Sequence, residues 1–193
     1  MVYEYLLIIS PDNQTSSSLA QIKKIYCDRY GCINAANLKP HITLVNFIQS
    51  QLTEDIIIHK LKGLGKTYKP FIIELNGFGS FKTHTVFVNV LNKINITTIV
   101  KDIRAKFSKL LFFDKKFKPI FVTTPHITIA RGMTEDQHNH AIREWQNNQF
   151  SKSFEANSMI LLKRKPNAVY IKVATMPFTG EHLPGEQLTL SFK

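Results

Sequence analysis

The tetrapeptide Pro-His-Ile-Thr occurs twice in this chain of 193 residues, at positions 40–43 and 125–128, and an aliphatic residue follows each copy. Each copy is typical of a short strand, in which positions i and i+2 point to the same face. The histidine and threonine of one copy therefore project together, while the isoleucine and the next aliphatic residue anchor the other face. The chain must fold so that it accommodates two such strands.

The segments that follow the two copies share one plan: a capped helix, then a two-strand ribbon. The ribbon begins at Phe71 after His41 and at Phe154 after His126, which are offsets of 30 and 28 residues (71 − 41 and 154 − 126). The repeat of 85 positions (126 − 41) is too long for a solenoid. We therefore predict an α+β fold with a bilobal pseudo-twofold duplication, in which two antiparallel sheets form a central cleft flanked by helices.

Length and periodicity give the expected boundaries. At 22.2 kDa, residues 1–193 suffice for a single domain, with lobes at approximately 1–92 and 93–193 and termini able to cross over. Hydrophobic periodicity predicts strands at 3–9, 41–47, 71–81, 85–91, 126–131, 154–162 and 168–174. It also predicts four helices. The first ends at Gly31, the second runs from a Thr53 cap to Gly65, the third carries residues 96–110, and the fourth opens with a Thr134–Gln137 capping box. Gly77-Phe78-Gly79 is predicted to mark a bulge or a tight bend.

The charge balance is strongly basic. The chain carries 25 Lys and Arg against 14 Asp and Glu, a formal net charge of +11. This balance favours an anionic partner, nucleic acid first, although a merely basic protein is an equal alternative. We expect a positive cleft rim that uses some of Arg131, Lys39 and the lysines of 115–118, and RNA binding that weakens with salt.

Other composition features exclude several classes. No apolar run approaches the ~20 residues of a membrane span, and the first ten residues lack the basic start of a secretory signal. Two cysteines, Cys27 and Cys32, cannot make a disulfide framework or a four-thiolate site and are interpreted as ordinary thiols. We expect a cytoplasmic monomer with no membrane partner.

The paired motifs point to proton transfer. Two imidazoles can share acid and base roles near neutral pH, and two threonine hydroxyls can donate to phosphate oxygens. Arg131 would share the face of His126 only if a bulge intervenes. Because no carboxylate accompanies either histidine, a metal site is a poor fit, and we predict metal-independent phosphodiester chemistry with no cofactor.

These motifs resemble those of the two-histidine phosphoesterase superfamily, the LigT-like group of 2'-5' RNA ligases and RNA 2',3'-cyclic phosphodiesterases. The resemblance covers nearly the whole chain and implies a bilobal α+β fold with a central cleft. It implies catalytic roles for His41, Thr43, His126 and Thr128, and a phosphate contact for Arg131. Residues 45–49 depart from the family's Arg-Phe-Leu-Gly stretch.

We therefore expect a metal-independent phosphodiesterase acting on a 2',3'-cyclic phosphate or a 2'-5' phosphodiester. The partner would be an RNA terminus or a small nucleotide with a cyclic phosphate, with Lys39 and Phe47 as further substrate-binding residues. A non-catalytic nucleotide- or RNA-binding module with the same cleft is the alternative. Phe81 and Tyr170 could stack on a base, although core packing is favoured for both, as it is for Phe47 and Trp145.

Overall fold

The structure, a computed structural model, describes residues 1–31 and 38–181. Within these ranges it contains nine strands and four α-helices. The strands are β1 Val2–Ile9, β2 Ile42–Ser50, β3 Phe71–Phe81, β4 Thr85–Val90, β5 Ile120–Phe121, β6 His126–Ala130, β7 Ser151–Ala156, β8 Ser158–Arg164 and β9 Ile171–Pro177. The helices are α1 Asn13–Tyr30, α2 Glu54–Lys66, α3 Ile94–Leu111 and α4 Glu135–Trp145. None of these helices is both long and apolar enough to cross a membrane.

The strands form one antiparallel sheet in the order β7-β3-β4-β6-β2-β1-β8-β9, with β5 beside β2. The sheet is narrowest at its centre, where β2 and β6 share a single residue pair, Ile42 opposite Ile127. The predicted α+β class is therefore confirmed. The prediction of two separate sheets is corrected to one sheet, because the two motif strands are neighbours and join both halves at this junction.

Each side of the junction takes strands from both halves of the sequence. On one side β6 and β7 join β3 and β4, and on the other β8 and β9 join β1 and β2. A boundary near residue 92 therefore does not divide the sheet, and the chain crosses over between the two sides. The duplication and the single domain remain predictions.

The motif strands are anchored in the core by one face. Ile42, Leu44, Ile127 and Ile129 are all buried to within 1% of their surface, and the burial of each aliphatic side chain contributes about 1.5–3 kcal/mol. Apolar residues of the helices, such as Leu19, Leu61 and Ile99, belong to the same core. The opposite face of the motif strands is left to carry the polar side chains.

Helix ends mostly follow the sequence signals. Thr134 and Gln137 form the predicted capping box of α4, and α1 ends at Gly31 with a positive φ of 66°. Thr53 precedes α2 without making a cap hydrogen bond, so its predicted capping role is wrong. Instead, Ser50 Oγ accepts from the N–H of Leu52 at the start of a single 3-10 turn.

Some strand predictions need correction, among them the last strand, which was predicted at 168–174 and is Ile171–Pro177. The predicted strand 154–162 is two strands, β7 and β8, separated at Asn157. Strand β5 was not predicted because two residues are too short to show a period. The bulge at Gly77 is confirmed by its φ of 63° and by the register shift in β3. The predictions on Cys32 lie outside the described residues.

Candidate active site

The two motifs meet on one face of the sheet. The isoleucines of β2 and β6 are paired antiparallel, and this register, continued by one residue each way, sets His41 beside Thr128 and Thr43 beside His126. Directly opposite residues of an antiparallel pair have Cβ atoms about 4.5–5.5 Å apart, and diagonal neighbours are about 7–8 Å apart. The register therefore places the two histidines diagonally across the junction, within reach of one phosphate.

A cavity of about 630 Å³ lies along this face. Of the seven predicted site residues, five line it: Lys39, His41, Thr43, Thr128 and Arg131. Residues 115–118, the other part of the predicted positive rim, do not line it.

His126 stands beside the cavity and is not part of its wall. Its ring lies against Phe81 and Phe87, with centroid distances of 4.9 and 5.0 Å. Phe81, one of the candidate base-stacking residues, therefore packs against a motif histidine. The positive form of His126 is nevertheless close enough to lower the pKa of His41.

Both histidines are held by the same backbone interaction. Nδ1 of His41 lies 2.8 Å from the carbonyl oxygen of Lys39, and Nδ1 of His126 lies 2.7 Å from that of Thr124. A carbonyl oxygen can only accept, so Nδ1 carries the proton in each ring. Nε2 of each ring is therefore left to accept or donate a proton in the site.

The environments lower the pKa of both imidazoles. Burial is the main cause for His41, and the charges of Lys23, Arg131 and His126 lower its pKa further, while the Lys39 carbonyl acts in the opposite direction. Burial also lowers the pKa of His126, against the hydrogen bond to its carbonyl partner. These shifts favour the neutral form of both rings near pH 7.

A bulge occurs at the same place in each motif. In β2 the partner of Leu7 is Val45 and the partner of Ile8 is Thr43, so Leu44 is the extra residue. In β6 the extra residue is Ile129. Because an added residue reverses the alternation beyond it, side chains five positions after each histidine turn to the histidine face.

This reversal explains the positions of two residues that were predicted to bind substrate. Arg131 reaches the cavity, on the bulge that the sequence argument required. Phe47, which the sequence predicted to bind substrate, does not line the cavity. It is 1% exposed and stacks on Tyr5 at 5.1 Å. Asn46, the counterpart of Arg131 in the first motif, faces the cavity instead.

Lys23 is a cavity residue that the sequence analysis missed. It is 3% exposed on α1, and its ammonium donates to the carbonyl of Leu38 at 2.7 Å. Burial first, and the charge of Arg131 second, lower the pKa of Lys23 to about 8. The sequence does contain a signal that Lys23 is unusual. It lies between Leu19 and Tyr26 on the buried face of α1, where an apolar residue is expected.

The other end of the cavity contains an ordered polar network. Glu4 accepts from Asn46 and from the hydroxyl of Tyr170, both at 2.8 Å, and from Arg164 at 2.6 Å. Burial alone would raise the pKa of Glu4, but these hydrogen bonds, led by that of Arg164, lower it. The guanidinium of Arg164 lies over the Tyr170 ring at 4.5 Å. Tyr170 is therefore part of the cavity wall, whereas core packing was favoured from the sequence.

Trp145 has a structural role, as the sequence favoured. It packs on Tyr26 and Phe78, with ring centroids 4.5 and 5.3 Å away, and its Nε1–H donates to the Tyr30 hydroxyl at 3.1 Å. Over residues 1–31 and 38–181 no three His, Cys, Asp or Glu side chains form a group that could hold a metal ion.

The geometry can be compared with known proteins. The model of the 2'-5' RNA ligase superfamily matches residues 11–168. The chain belongs to this superfamily. Membership supports a phosphoesterase or 2'-5' RNA ligase-like activity.

Relatives of this superfamily member agree with the assignment. A protein of Shouchella clausii (strain KSM-K16), whose name gives phosphoesterase as a provisional function, is 24% identical over 181 residues, which are 92% of this chain and 99% of that protein. The fold is similar to that of TT0787 from Thermus thermophilus, with a TM-score of 0.67 and 16% identity over 93% of this chain and 100% of the other.

E. coli LigT in complex with 3'-AMP has a TM-score of 0.64 at 14% identity, covering 93% of this chain and 99% of LigT. Further crystal structures of LigT contain NADP⁺ and ATP. At these identities the likeness to solved structures shows the fold.

Proposed function

We propose that this superfamily member is a metal-independent phosphodiesterase that hydrolyses a 2',3'-cyclic phosphate, or cleaves a 2'-5' phosphodiester, of RNA or a small nucleotide. One observation carries the proposal: His41 and His126 are both held through Nδ1 by a carbonyl two residues earlier. This leaves two Nε2 atoms for one reaction. The nucleotides bound by LigT support a nucleotide substrate.

In the proposed reaction, water attacks phosphorus while one neutral imidazole takes a proton from it at Nε2. The bond from phosphorus to one ribose oxygen breaks, and the second imidazole, protonated at Nε2, gives its proton to that oxygen. The product is a phosphate monoester on the neighbouring ribose oxygen. The two imidazoles end with their protonation states exchanged, and proton exchange with water restores them.

The substrate helps to prepare the acid. The unliganded site favours neutral imidazoles because of burial and nearby cations. A bound phosphodiester brings a negative charge, which raises the pKa of an adjacent imidazole. One ring is therefore protonated only when there is a leaving group to receive the proton.

The flanking charges favour different roles for the two rings. Lys23 and Arg131 lower the pKa of His41 beyond the effect of burial, whereas only burial lowers that of His126. A base with the lower pKa and an acid with the higher pKa maximise the productive protonation state. Because the charges of Lys23 and Arg131 act on His41 and not on His126, we propose His41 as the base and His126 as the acid.

Polar groups of the cavity would hold the phosphate. The hydroxyls of Thr43 and Thr128 share the face of the imidazoles and can donate to the non-bridging oxygens. Arg131, Lys39 and Lys23 line the same cavity and supply positive charge as the phosphorane forms.

The test is hydrolysis of adenosine 2',3'-cyclic phosphate with excess chelator. We expect turnover that persists with chelator and follows a bell-shaped pH profile. Dependence on an added divalent ion would contradict the mechanism. Nucleotide binding without turnover on cyclic or 2'-5'-linked substrates would favour the alternative, a non-catalytic binding module.

A further inference from the structure

A surface outside the cavity combines aromatic rings with positive charge. Residues 112–118, with the sequence Phe-Phe-Asp-Lys-Lys-Phe-Lys, connect α3 to β5, and we call them the aromatic-basic loop. Phe112 is 41% exposed, and Phe113 and Phe117 are each 37% exposed. The three lysines of the loop are exposed as well. Three partly exposed rings and three cations lie within seven residues.

The loop is fixed at its start and in its middle. The buried side chain of Gln49 donates to the carbonyls of Leu110 and Phe112, at 3.0 and 3.3 Å. The carboxylate of Asp114 accepts from the N–H groups of Lys116 and Phe117, both at 2.8 Å. A surface ordered in this way loses little conformational entropy when it binds a partner.

The loop is also connected to the cavity by the sheet. Strand β5, which follows the loop, pairs Ile120 with Asn46. Opposite residues of an antiparallel pair point to the same face, so Ile120, which is 65% exposed, lies on the face of the cavity residue Asn46. Asn46 is five residues from His41, or roughly 17 Å along the strand at ~3.3 Å per residue. A ligand a few nucleotides long could therefore span from the imidazoles to the loop.

We propose that the aromatic-basic loop binds the single-stranded RNA that extends in the 5' direction from the reacting terminus. Bases would stack on its phenylalanine rings and backbone phosphates would pair with its lysines, which is how single strands are bound without sequence preference. The identity of the reacting end rests on the proposed function, whereas RNA binding by the loop can be tested without turnover.

Two observations favour RNA over an anionic membrane surface. Strand β5, which follows the loop, places Ile120 on the face of the cavity residue Asn46, a proximity to the cavity that a membrane contact would not require. The three rings each have more than half of their surface covered, which suits a stacking platform better than insertion of freely projecting side chains into lipid.

The experiment compares three triple variants that should all fold. The ring variant is Phe112→Ala, Phe113→Ala and Phe117→Ala, and the charge variant is Lys115→Gln, Lys116→Gln and Lys118→Gln. The control, Lys60→Gln, Lys62→Gln and Lys152→Gln, removes the same charge from exposed positions on α2 and β7. Thermal unfolding of each variant verifies that it is folded.

Two probes are used: adenosine 2',3'-cyclic phosphate, and an eight-nucleotide RNA ending in the same group. We expect KM for the RNA to rise on the order of tenfold or more in the ring variant, because each stacked base contributes substantially to binding. KM for the mononucleotide should be unchanged. In the charge variant, the slope of log affinity against log salt should become shallower by about 2, because each of the three lost phosphate contacts contributes ~0.7 to that slope.

Fluorescence anisotropy with an unreactive eight-nucleotide RNA 3'-phosphate separates this proposal from the proposed function, because it needs no turnover. Weaker RNA binding in the ring and charge variants, but not in the control, supports the loop even if no hydrolysis is found. Equal RNA binding by all variants overturns it. Loss of binding to phosphatidylserine vesicles with RNA binding intact also overturns it and identifies a membrane contact.

Discussion

The two motif strands share backbone features and differ in their electrostatic surroundings. On each side a Pro-His-Ile-Thr strand contains a bulge three residues after the histidine. On each side Nδ1 of the histidine donates to a carbonyl two residues earlier. The surroundings then differ: Lys23 and Arg131 act on His41, whereas the rings of Phe81 and Phe87 lie against His126.

This comparison shows where the asymmetry of the site originates. The motifs supply two similar imidazoles, and residues from α1, from strands β3 and β4 and from the end of β6 make them different. Two motifs with the same local geometry can therefore supply one base and one acid, because the pKa of each imidazole depends on side chains outside its motif.

The largest expected effect comes from the histidines. His41→Ala and His126→Ala should each lower kcat by about 10²–10⁴, and the double variant should be little worse than either single variant because the pair acts as a unit. His59→Ala, at an exposed position on α2, is the control. Turnover of the cyclic nucleotide measures all four. Full activity in either single variant would end the two-imidazole mechanism.

The threonines test whether both sides hold the phosphate. Thr43→Val and Thr128→Val remove one hydroxyl each while keeping the branched shape, and each should lower kcat by about 10²–10³. Thr98→Val, at an exposed position on α3, should be unaffected. If only one of the two substitutions lowers kcat, the phosphate is bound on one side of the junction, and the hypothesis that both threonines hold it is wrong.

Removing the charge of Lys23 tests whether the surroundings of the two imidazoles make their pKa values respond differently. Lys23→Met removes a charge that lowers the pKa of His41, so this pKa should rise while that of His126 stays unchanged, in NMR titrations of the two rings. The neighbouring exposed substitution Lys24→Met should shift neither. A shift of His126 equal to that of His41 would contradict the assignment of base and acid.

The pH dependence of Lys23 provides a separate test. Its pKa of about 8 means that its charge is lost as pH rises through that value. If the charge stabilises the phosphorane, kcat should decline above about pH 8 in the wild type. In Lys23→Arg the decline should move to higher pH, since arginine stays protonated.

The smallest effect is on stability. A histidine with a folded pKa below its unfolded value of ~6.5 binds fewer protons in the folded state. Its contribution to the free energy of unfolding is present above that value and is lost as pH falls towards the folded pKa. Urea unfolding between pH 7.5 and 5.5 should show this loss. The double variant His41→Gln, His126→Gln should show a shallower pH dependence.

Much of the architecture follows from local patterns. The alternation in the two motifs placed their isoleucines in the core and their polar side chains on one face, and the structure agrees. The capping box at Thr134 and the left-handed Gly31 were correctly located because each depends on residues only a few positions apart.

Features that depend on distant residues were not predictable. The sequence determined the two motif strands, their shared chemistry and most helices, because each is encoded within about a dozen neighbouring residues. Only the tertiary structure decided that β2 and β6 join one sheet, that paired bulges send Phe47 inward and Arg131 to the cavity, and that Lys23 is buried while Ile25 is exposed. Strand pairing, register and burial depend on contacts between segments far apart in the chain. The periodicity within one segment therefore cannot predict these contacts.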